Sequence, residues 1–388
     1  MRSTLLATLI VTCVVACAEV VGAEKAAKIV DEKAIFALGD DLNWREYAGV
    51  GRMRLSPDGA KLLFLRRQGN DLQTRSYWLV LRDIKAGKDK DLKIPGYHDD
   101  DMAAFMLAGN VFDPAGKRLA LGAGMDANKN GRHDVRGETP EKMQVALYDL
   151  ATDKTTRIGE TGDVVLASFD RTGKGLVIIA ADRKAEDGKM FITPLDKIKL
   201  RQLSLWGLPR GICPTGDVVA LLLPPDAAAR AGGQRPKPEV VLFDLAKDKV
   251  VAKLPLRESN TKLDDLCPQW TGDGRYLYYL GIDRDEQTGD GKCESRIWDR
   301  AKGKSVPEVP GTIPIGPGPT ATTMVLAPYA SAGGDKPVVH DAKADKMWAV
   351  DGPAIRLIAS QGRYVVYAKK GDDGKETVYR GRISLPAK

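Results

Sequence analysis

Residues Asp126 to Asp134, "DANKNGRHD", place oxygen-bearing side chains at alternate positions and follow them with a glycine. That pattern suits a hard cation. Calcium takes roughly six to eight oxygens at about 2.3–2.6 Å, and a tight loop supplies them from alternate side chains and one backbone carbonyl. Asp126, Asn128 and Asn130 fall at the first, third and fifth positions of such a loop. Gly131 permits the sharp turn, Arg132 offers its carbonyl, and Asp134 takes the ninth position. The glutamate that closes a longer, helix-flanked calcium loop is absent: Gly137 stands in its place and Glu138 is next. Two asparagines where aspartates are usual lower the charge of the site. The expected affinity is weak, on the order of 10⁻⁴–10⁻³ M, which suits calcium-rich extracytoplasmic fluid. The competing reading is a hairpin tip that uses Asn and Gly only to make its turn.

Other reactive side chains are sparse. His98 is followed by Asp99, Asp100 and Asp101, a set able to hold a divalent metal if other carboxylates converge on it. The segment "DRDEQTGDGKCE" carries Asp283 and Asp285, but its acids are irregularly spaced and read as a solvated loop. The other two histidines, His133 and His340, lie far from His98 in sequence. No G-x-S-x-G nucleophile elbow occurs, which argues against a fused serine hydrolase. No C-x-x-C occurs, so zinc and dithiol chemistry lack their usual signature. Of the five cysteines, Cys13 and Cys17 lie in the leader. Cys213, Cys267 and Cys293 remain, and Cys267 can be paired on paper with either of the other two.

The leader is Met1-Arg2, then "LLATLIVTCVVACA", then small residues. This is the layout of a secretory signal over residues 1–23, with cleavage sites after Ala18 or Ala23. "VVAC" at Val14–Cys17 also resembles a bacterial lipobox, which implies a lipid anchor on Cys17 as the alternative to simple release. The expected location is therefore secreted or periplasmic, or lipoprotein on a bacterial membrane, without a transmembrane helix. The 388 residues are 43% hydrophobic and 29% charged, enough to bury a large core. The formal charge of +7 is spread among acids, without a basic run or an aromatic-basic stripe, so nucleic acid is not an expected partner.

A degenerate unit repeats along the rest of the chain. Its first part is a turn and an apolar strand: "LSPDGAKLLFL", "FDPAGKRLALG", "FDRTGKGLVII", "ICPTGDVVALLL", "WTGDGRYLYYL" and "IASQGRYVVYA". The turn glycines are Gly59, Gly116, Gly173, Gly216, Gly274 and Gly362, about 50 residues apart except for a double gap before the last. The second part is an apolar strand ending in aspartate, followed by a short lysine-bearing turn. Its aspartates are Asp83, Asp149, Asp244, Asp299 and Asp341, read as turn-capping residues. Four strands per unit and no helical period predict propeller blades. The double gap is filled by a weaker unit containing "VVHDAKADK".

Ser56-Pro57-Asp58-Gly59 with Leu62 and Phe64 resembles the mark of the TolB-like family of propeller repeats, "SPDG-x-x-L-x-F". The resemblance covers about residues 33–388. It implies a propeller that binds proteins or peptides or serves as a scaffold, and it assigns no catalytic residue. The nine-residue loop in the second unit resembles the calcium hairpins of integrin-type propellers, which need no closing glutamate.

The expected architecture is all-β: one domain over 24–388, a seven-bladed β-propeller of four-stranded blades. Its blades are placed at 44–97, 98–160, 161–205, 206–257, 258–309, 310–351 and 352–388. The strand "KAIFALG" at 33–39 is expected to close the last blade, because an unpaired edge is costly. The long connections between second and third strands share one face with the blade-to-blade links. That face is expected to recognise a protein, peptide or glycan without catalysis. The alternative is a metal-dependent hydrolase or lactonase at the channel mouth.

Overall fold

The computed structural model describes residues 26–37, 53–68, 76–92, 94, 110–129, 141–181, 188–223, 239–255, 268–284, 291–329, 336–351, 355–371 and 374–386. The first strand is β1 (Ala27–Ala37). A meander comes next, β2 (Met53–Leu55), β3 (Lys61–Gln68), β4 (Ser76–Asp83) and β5 (Lys88–Asp91). The next sheet holds β6 (Arg118–Gly124), β7 (Met143–Asp149) and β8 (Thr155–Gly162). The third holds β9 (Val164–Phe169), β10 (Gly175–Ala181), β11 (Gly188–Pro194) and β12 (Arg201–Gln202). The fourth holds β13 (Leu208–Ile212), β14 (Val218–Leu223), β15 (Glu239–Asp244) and β16 (Lys249–Lys253). The fifth holds β17 (Gln269–Trp270), β18 (Tyr276–Arg284), β19 (Gly291–Asp299) and β20 (Lys304–Pro310). The remaining strands are β21 (Thr312–Pro317), β22 (Thr323–Pro328), β23 (Val338–Asp341), β24 (Lys346–Asp351), β25 (Arg356–Gln361), β26 (Tyr364–Lys370) and β27 (Glu376–Ser384).

These strands do not divide into seven four-stranded blades. Among the described residues there are four four-stranded sheets, one three-stranded sheet and one eight-stranded sheet. The propeller therefore has five blade-like sheets and a larger sheet ordered β21-β22-β23-β24-β1-β27-β26-β25. The cause is β1. It pairs antiparallel with β27 from Lys28↔Ser384 to Ala37↔Thr377 and parallel with β24 at Ala27↔Val350 and Lys28↔Asp351. That second contact welds the last two sequence units together. Edge strands β21 and β25 lie side by side, Ser360 Oγ donating to Pro317 O at 2.7 Å, so the large sheet nearly closes. In the three-stranded sheet a single bridge, Phe112↔Leu119, stands where an inner strand was expected.

The apolar runs arise from burial on both faces of a sheet. Along β3, Leu63 and Leu65 pack with Leu79, Leu119 and Leu121 at the interface with the next sheet. Their neighbours Leu62 and Phe64 point the other way, against Ile358, Val366 and Val378. Alternation persists, but between two buried interfaces rather than between core and water. The same division recurs at β14, whose Val219 and Leu221 face one cluster while Ala220 and Leu222 face the next. Truncating any of these leucines to alanine costs about 2–5 kcal/mol.

The repeated turns form the second framework. The first five, Gly59 to Gly274, bend through an i to i+3 hydrogen bond, Gly59 N to Ser56 O at 2.8 Å and Gly274 N to Thr271 O at 2.8 Å among them. The first turn residue also caps the start of the next strand: Lys61 N donates to Ser56 Oγ at 2.8 Å, and Lys117 N to Asp113 Oδ1 at 2.7 Å. Adjacent turns stack. A Cβ on Gly173 would meet Pro114 at 2.8 Å, and one on Gly274 would meet Cys213 Sγ at 2.5 Å. A Cβ on Gly59, which has a φ of +67°, would lie 2.5 Å from the Tyr364 ring. That last contact joins the first turn to the last. Arg380 reinforces it, donating to Gly59 O at 3.2 Å and lying over the Tyr364 ring at 5.0 Å.

Candidate functional site

Strand direction sorts the connections onto two ends. The glycine turns and the aspartate-lysine turns leave one end of the sheets; the second-to-third-strand loops and the sheet-to-sheet links leave the other. The calcium candidate begins at the loop end, where β6 finishes at Gly124. Met125 N donates to Lys142 O at 3.0 Å, which continues the β6–β7 pairing by one step. Asp126 is half-buried, Asn128 is exposed, and Lys129 has a φ of 59°. Asn130, Arg132 and Asp134 lie outside the described residues.

The structure adds a residue that the spacing argument missed. Glu141 Oε1 accepts from Ala127 N at 2.6 Å and from Asn128 N at 3.0 Å. A carboxylate bound by successive amides fixes the backbone on which Asp126 and Asn128 are presented. Its neighbour Lys142 reaches the next link, with Nζ 2.6 Å from Asp163 Oδ1. The hairpin base is thus tied both to its own loop and to the connection between β8 and β9.

A second loop base is clamped in a related way. Pro255, which precedes the 256–267 link, has a carbonyl that accepts from Tyr279 Oη at 3.1 Å and from Arg296 at 3.1 Å. Arg296 is held in turn by Glu294 at 2.8 Å. Burial pushes the Tyr279 hydroxyl up to about 12, so it remains a donor throughout the physiological range.

The other sequence candidates are not brought together by described residues. His98, Asp99, Asp100, Asp101 and Asp285 lie outside them. Asp283 belongs to β18, where its backbone pairs with Lys292. Among the described residues no three His, Cys, Asp or Glu side chains gather as a metal site. His340 is buried in β23, its Nδ1 2.8 Å from Tyr278 Oη. Burial holds that imidazole below its ordinary value, against the opposing pull of Asp345 and Asp341.

Cys213 takes the first turn position of its unit, as its place in the repeat predicts. Its thiol lies 2.8 Å from Thr215 Oγ1, and Arg300 donates to it at 3.4 Å. Arg300 also pairs with Asp217, binding β14 to the turn after β19. Cys213 and Cys293 are both buried, and Cys267, the partner in both pairings weighed from the sequence, lies outside the described residues.

The chain matches no family model and no curated protein. Its likeness to solved structures is one of fold. Hydrazine synthase of Kuenenia stuttgartiensis superposes with a TM-score of 0.51 at 14% identity, over 88% of this chain and 97% of that one. The β-propeller domain of the Trilobed protease from Pyrococcus furiosus, described as having an open velcro topology, gives 0.50 at 10% identity, over 94% and 96%. TolB from Acinetobacter baumannii gives 0.44 at 17% identity over 66% of this chain. The chain spans 53% of that TolB's length. The sheet arrangement and the match to the Trilobed protease domain give a β-propeller fold.

Proposed function

We propose that this is a non-enzymatic binding or scaffold propeller that recognises a protein, peptide or glycan through its loop end. One observation carries the reading. The turn end is interlocked from Gly59 to Tyr364, while the longer connections leave the opposite end from clamped bases such as Glu141 and Pro255. Rigid frames that display irregular loops are the usual platform for recognition.

Calcium belongs to the same proposal. The ligand set is Asp126, Asn128, Asn130, Arg132 through its carbonyl, and Asp134. Support comes from the spacing of these residues and from Glu141, which fixes the loop entrance. Calcium would stiffen one loop and take no part in chemistry. An extracytoplasmic setting, with or without a lipid on Cys17, fits both the leader and a weak site. Among the described residues no helix is long and apolar enough to cross a membrane.

The test is a calcium titration followed by melting temperature and calorimetry. Millimolar calcium raises the melting temperature of the native chain, and Asp126→Ala removes the rise without changing the calcium-free melt by more than about 1 kcal/mol. No heat and no thermal shift would remove calcium from the proposal. Binding is tested on peptide and glycan arrays with the 224–238 or 256–267 segments replaced by Gly-Ser linkers. Loss of a bound partner at unchanged melting temperature supports the loop end. Metal-dependent turnover of ester or lactone substrates would favour the hydrolase instead.

A further inference from the structure

The aspartate-lysine turns carry a charge arrangement that loop-end recognition does not use. In each, the aspartate accepts from amides of its own turn; Asp244 and Asp299 are buried, while Asp83 is exposed. Asp244 accepts from Ala246 N at 3.1 Å and Lys247 N at 2.9 Å, and fully buried Asp299 accepts from Ala301 N at 3.0 Å. The lysine after the turn points outward. Cross-strand register places Lys88 opposite Asp83, Lys249 opposite Asp244, Lys304 opposite Asp299 and Lys346 opposite Asp341. Lys154 holds the same place after Asp149, whose N–H donates to Lys154 O at 2.9 Å. The large sheet supplies a sixth from the opposite end of the sequence, because Lys28 of β1 pairs with Ser384 of β27. All six lysines are exposed.

Asp58, Asp83, Asp196 and Asp345 are exposed among these lysines, and exposed Asp351 pairs across from Lys28, while other acids at this end are engaged within it. Asp153 pairs with Lys90 and accepts from Tyr148 at 2.9 Å. Asp248 accepts from Ser204 N at 2.8 Å, and Asp217 pairs with Arg300. Asp244 and Asp299 are thus folded into their turns, while the six lysines stand exposed.

We propose that the turn end docks on an anionic lipid surface, so that the loop end faces away from the membrane. Two features choose a lipid surface over a linear polyanion. The lysines are distributed around a ring instead of along one track, which matches a sheet of charge. The chain also enters the fold here: Ala27 stands where other units have their aspartate-lysine turn, so the segment carrying Cys17 joins at this end. Nine residues lie between Cys17 and Ala27, and the ten residue steps span at most about 35 Å. A lipid on Cys17 would tether the chain to the bilayer from this end. The inference is independent of calcium and of the identity of any loop-end partner.

The experiment is co-sedimentation of the full chain with vesicles of phosphatidylglycerol and phosphatidylcholine, against phosphatidylcholine alone. The zwitterionic vesicles measure what the apolar leader contributes by itself. Anionic vesicles are expected to bind more tightly, with the excess lost as salt rises. Each lysine near an anionic surface contributes about fivefold, so Lys154→Gln/Lys249→Gln/Lys304→Gln lowers the anionic excess on the order of a hundredfold. A control, Lys189→Gln/Lys253→Gln/Lys336→Gln, neutralises three exposed lysines away from these turns and leaves most of the excess. Matched melting temperatures show that both variants are folded. Equal loss in the two variants overturns the proposal, as does no preference for anionic vesicles. Tighter binding to soluble dextran sulfate than to vesicles of equal charge also overturns it.

Discussion

Gly59→Ala tests whether the repeat turns are a mechanical ring or a row of independent hairpins. Two costs apply to it. An alanine at a φ of +67° loses about 1–2 kcal/mol, because its Cβ crowds the carbonyl in the left-handed region. The new methyl also meets Tyr364 Cγ at 2.5 Å, and that ring is backed by Arg380 at 5.0 Å and Arg363 at 5.6 Å. Overpacking of this kind adds about 1–3 kcal/mol. The total expected loss is about 2–5 kcal/mol, summed from those two ranges.

Gly87→Ala separates the terms. Gly87 has a φ of +66°, and a Cβ there meets nothing within 4 Å. It carries the backbone cost alone, about 1–2 kcal/mol. Urea unfolding of the two variants, with the slope checked for constancy, reads the difference directly. A double variant adds a second constraint. With Tyr364→Ala the obstruction is gone, so Gly59→Ala should cost about 1–3 kcal/mol less in that background than in the native chain. If Gly59→Ala and Gly87→Ala lose the same stability, and the double variant shows no coupling, the first and last turns are not joined.

Two buried groups set further expectations. The His340 imidazole sits below its ordinary value, so the unfolded chain takes up that proton first as pH falls. Stability should decline from about pH 6.5 downward, by at most about 1.4 kcal/mol per pH unit, until the folded imidazole also titrates. His340→Gln should flatten that part of the profile in pH-dependent melts; identical slopes from pH 7.5 to 5 would refute the assignment. Burial pushes the Cys213 thiol up, against the opposing effects of Thr215 and Arg300. Cys213 and Cys293 should resist iodoacetamide at pH 8 until urea is added, as peptide mapping would show; rapid native labelling of Cys213 would contradict its burial.

The glycine turns were legible because each demand there is local. Gly59 needs a positive φ, Ser56 needs an oxygen to cap Lys61, and both needs fall within six residues of sequence. Cys213 was legible for the same reason, since its position in the unit marked it as a turn residue. The division into sheets was not local. It depends on Ala27 and Lys28 lying parallel to Val350 and Asp351, a contact between opposite ends of the chain that leaves no pattern in either segment. The expected strand at 33–39 was also too short, because β1 continues through a bulge at Asp31, whose φ is 54°. Polar side chains hid that extension: Glu32 meets Tyr367 and Lys369, and Asp31 meets Arg382 at 2.8 Å. Glu141 escaped notice because it acts on amides 13 and 14 residues earlier, beyond the span of a loop motif.

The two ends of the propeller differ in what they leave free. At the turn end nearly every described polar group near the backbone is already spoken for. Asp58, Asp113, Asp244 and Asp299 all accept from amides of their own turns. Such bonds contribute about 1 kcal/mol each and more when the acceptor is charged, so change inside these turns is penalised. What remains variable is the outward lysine, which touches solvent and sets only the charge of the surface. Among the described residues at the loop end, Glu141, Lys142, Tyr279 and Arg296 anchor the loop bases. A fold arranged this way concentrates specificity at one end and leaves the other a generic, charge-based contact, which is the division of labour that anionic docking and loop-end recognition require.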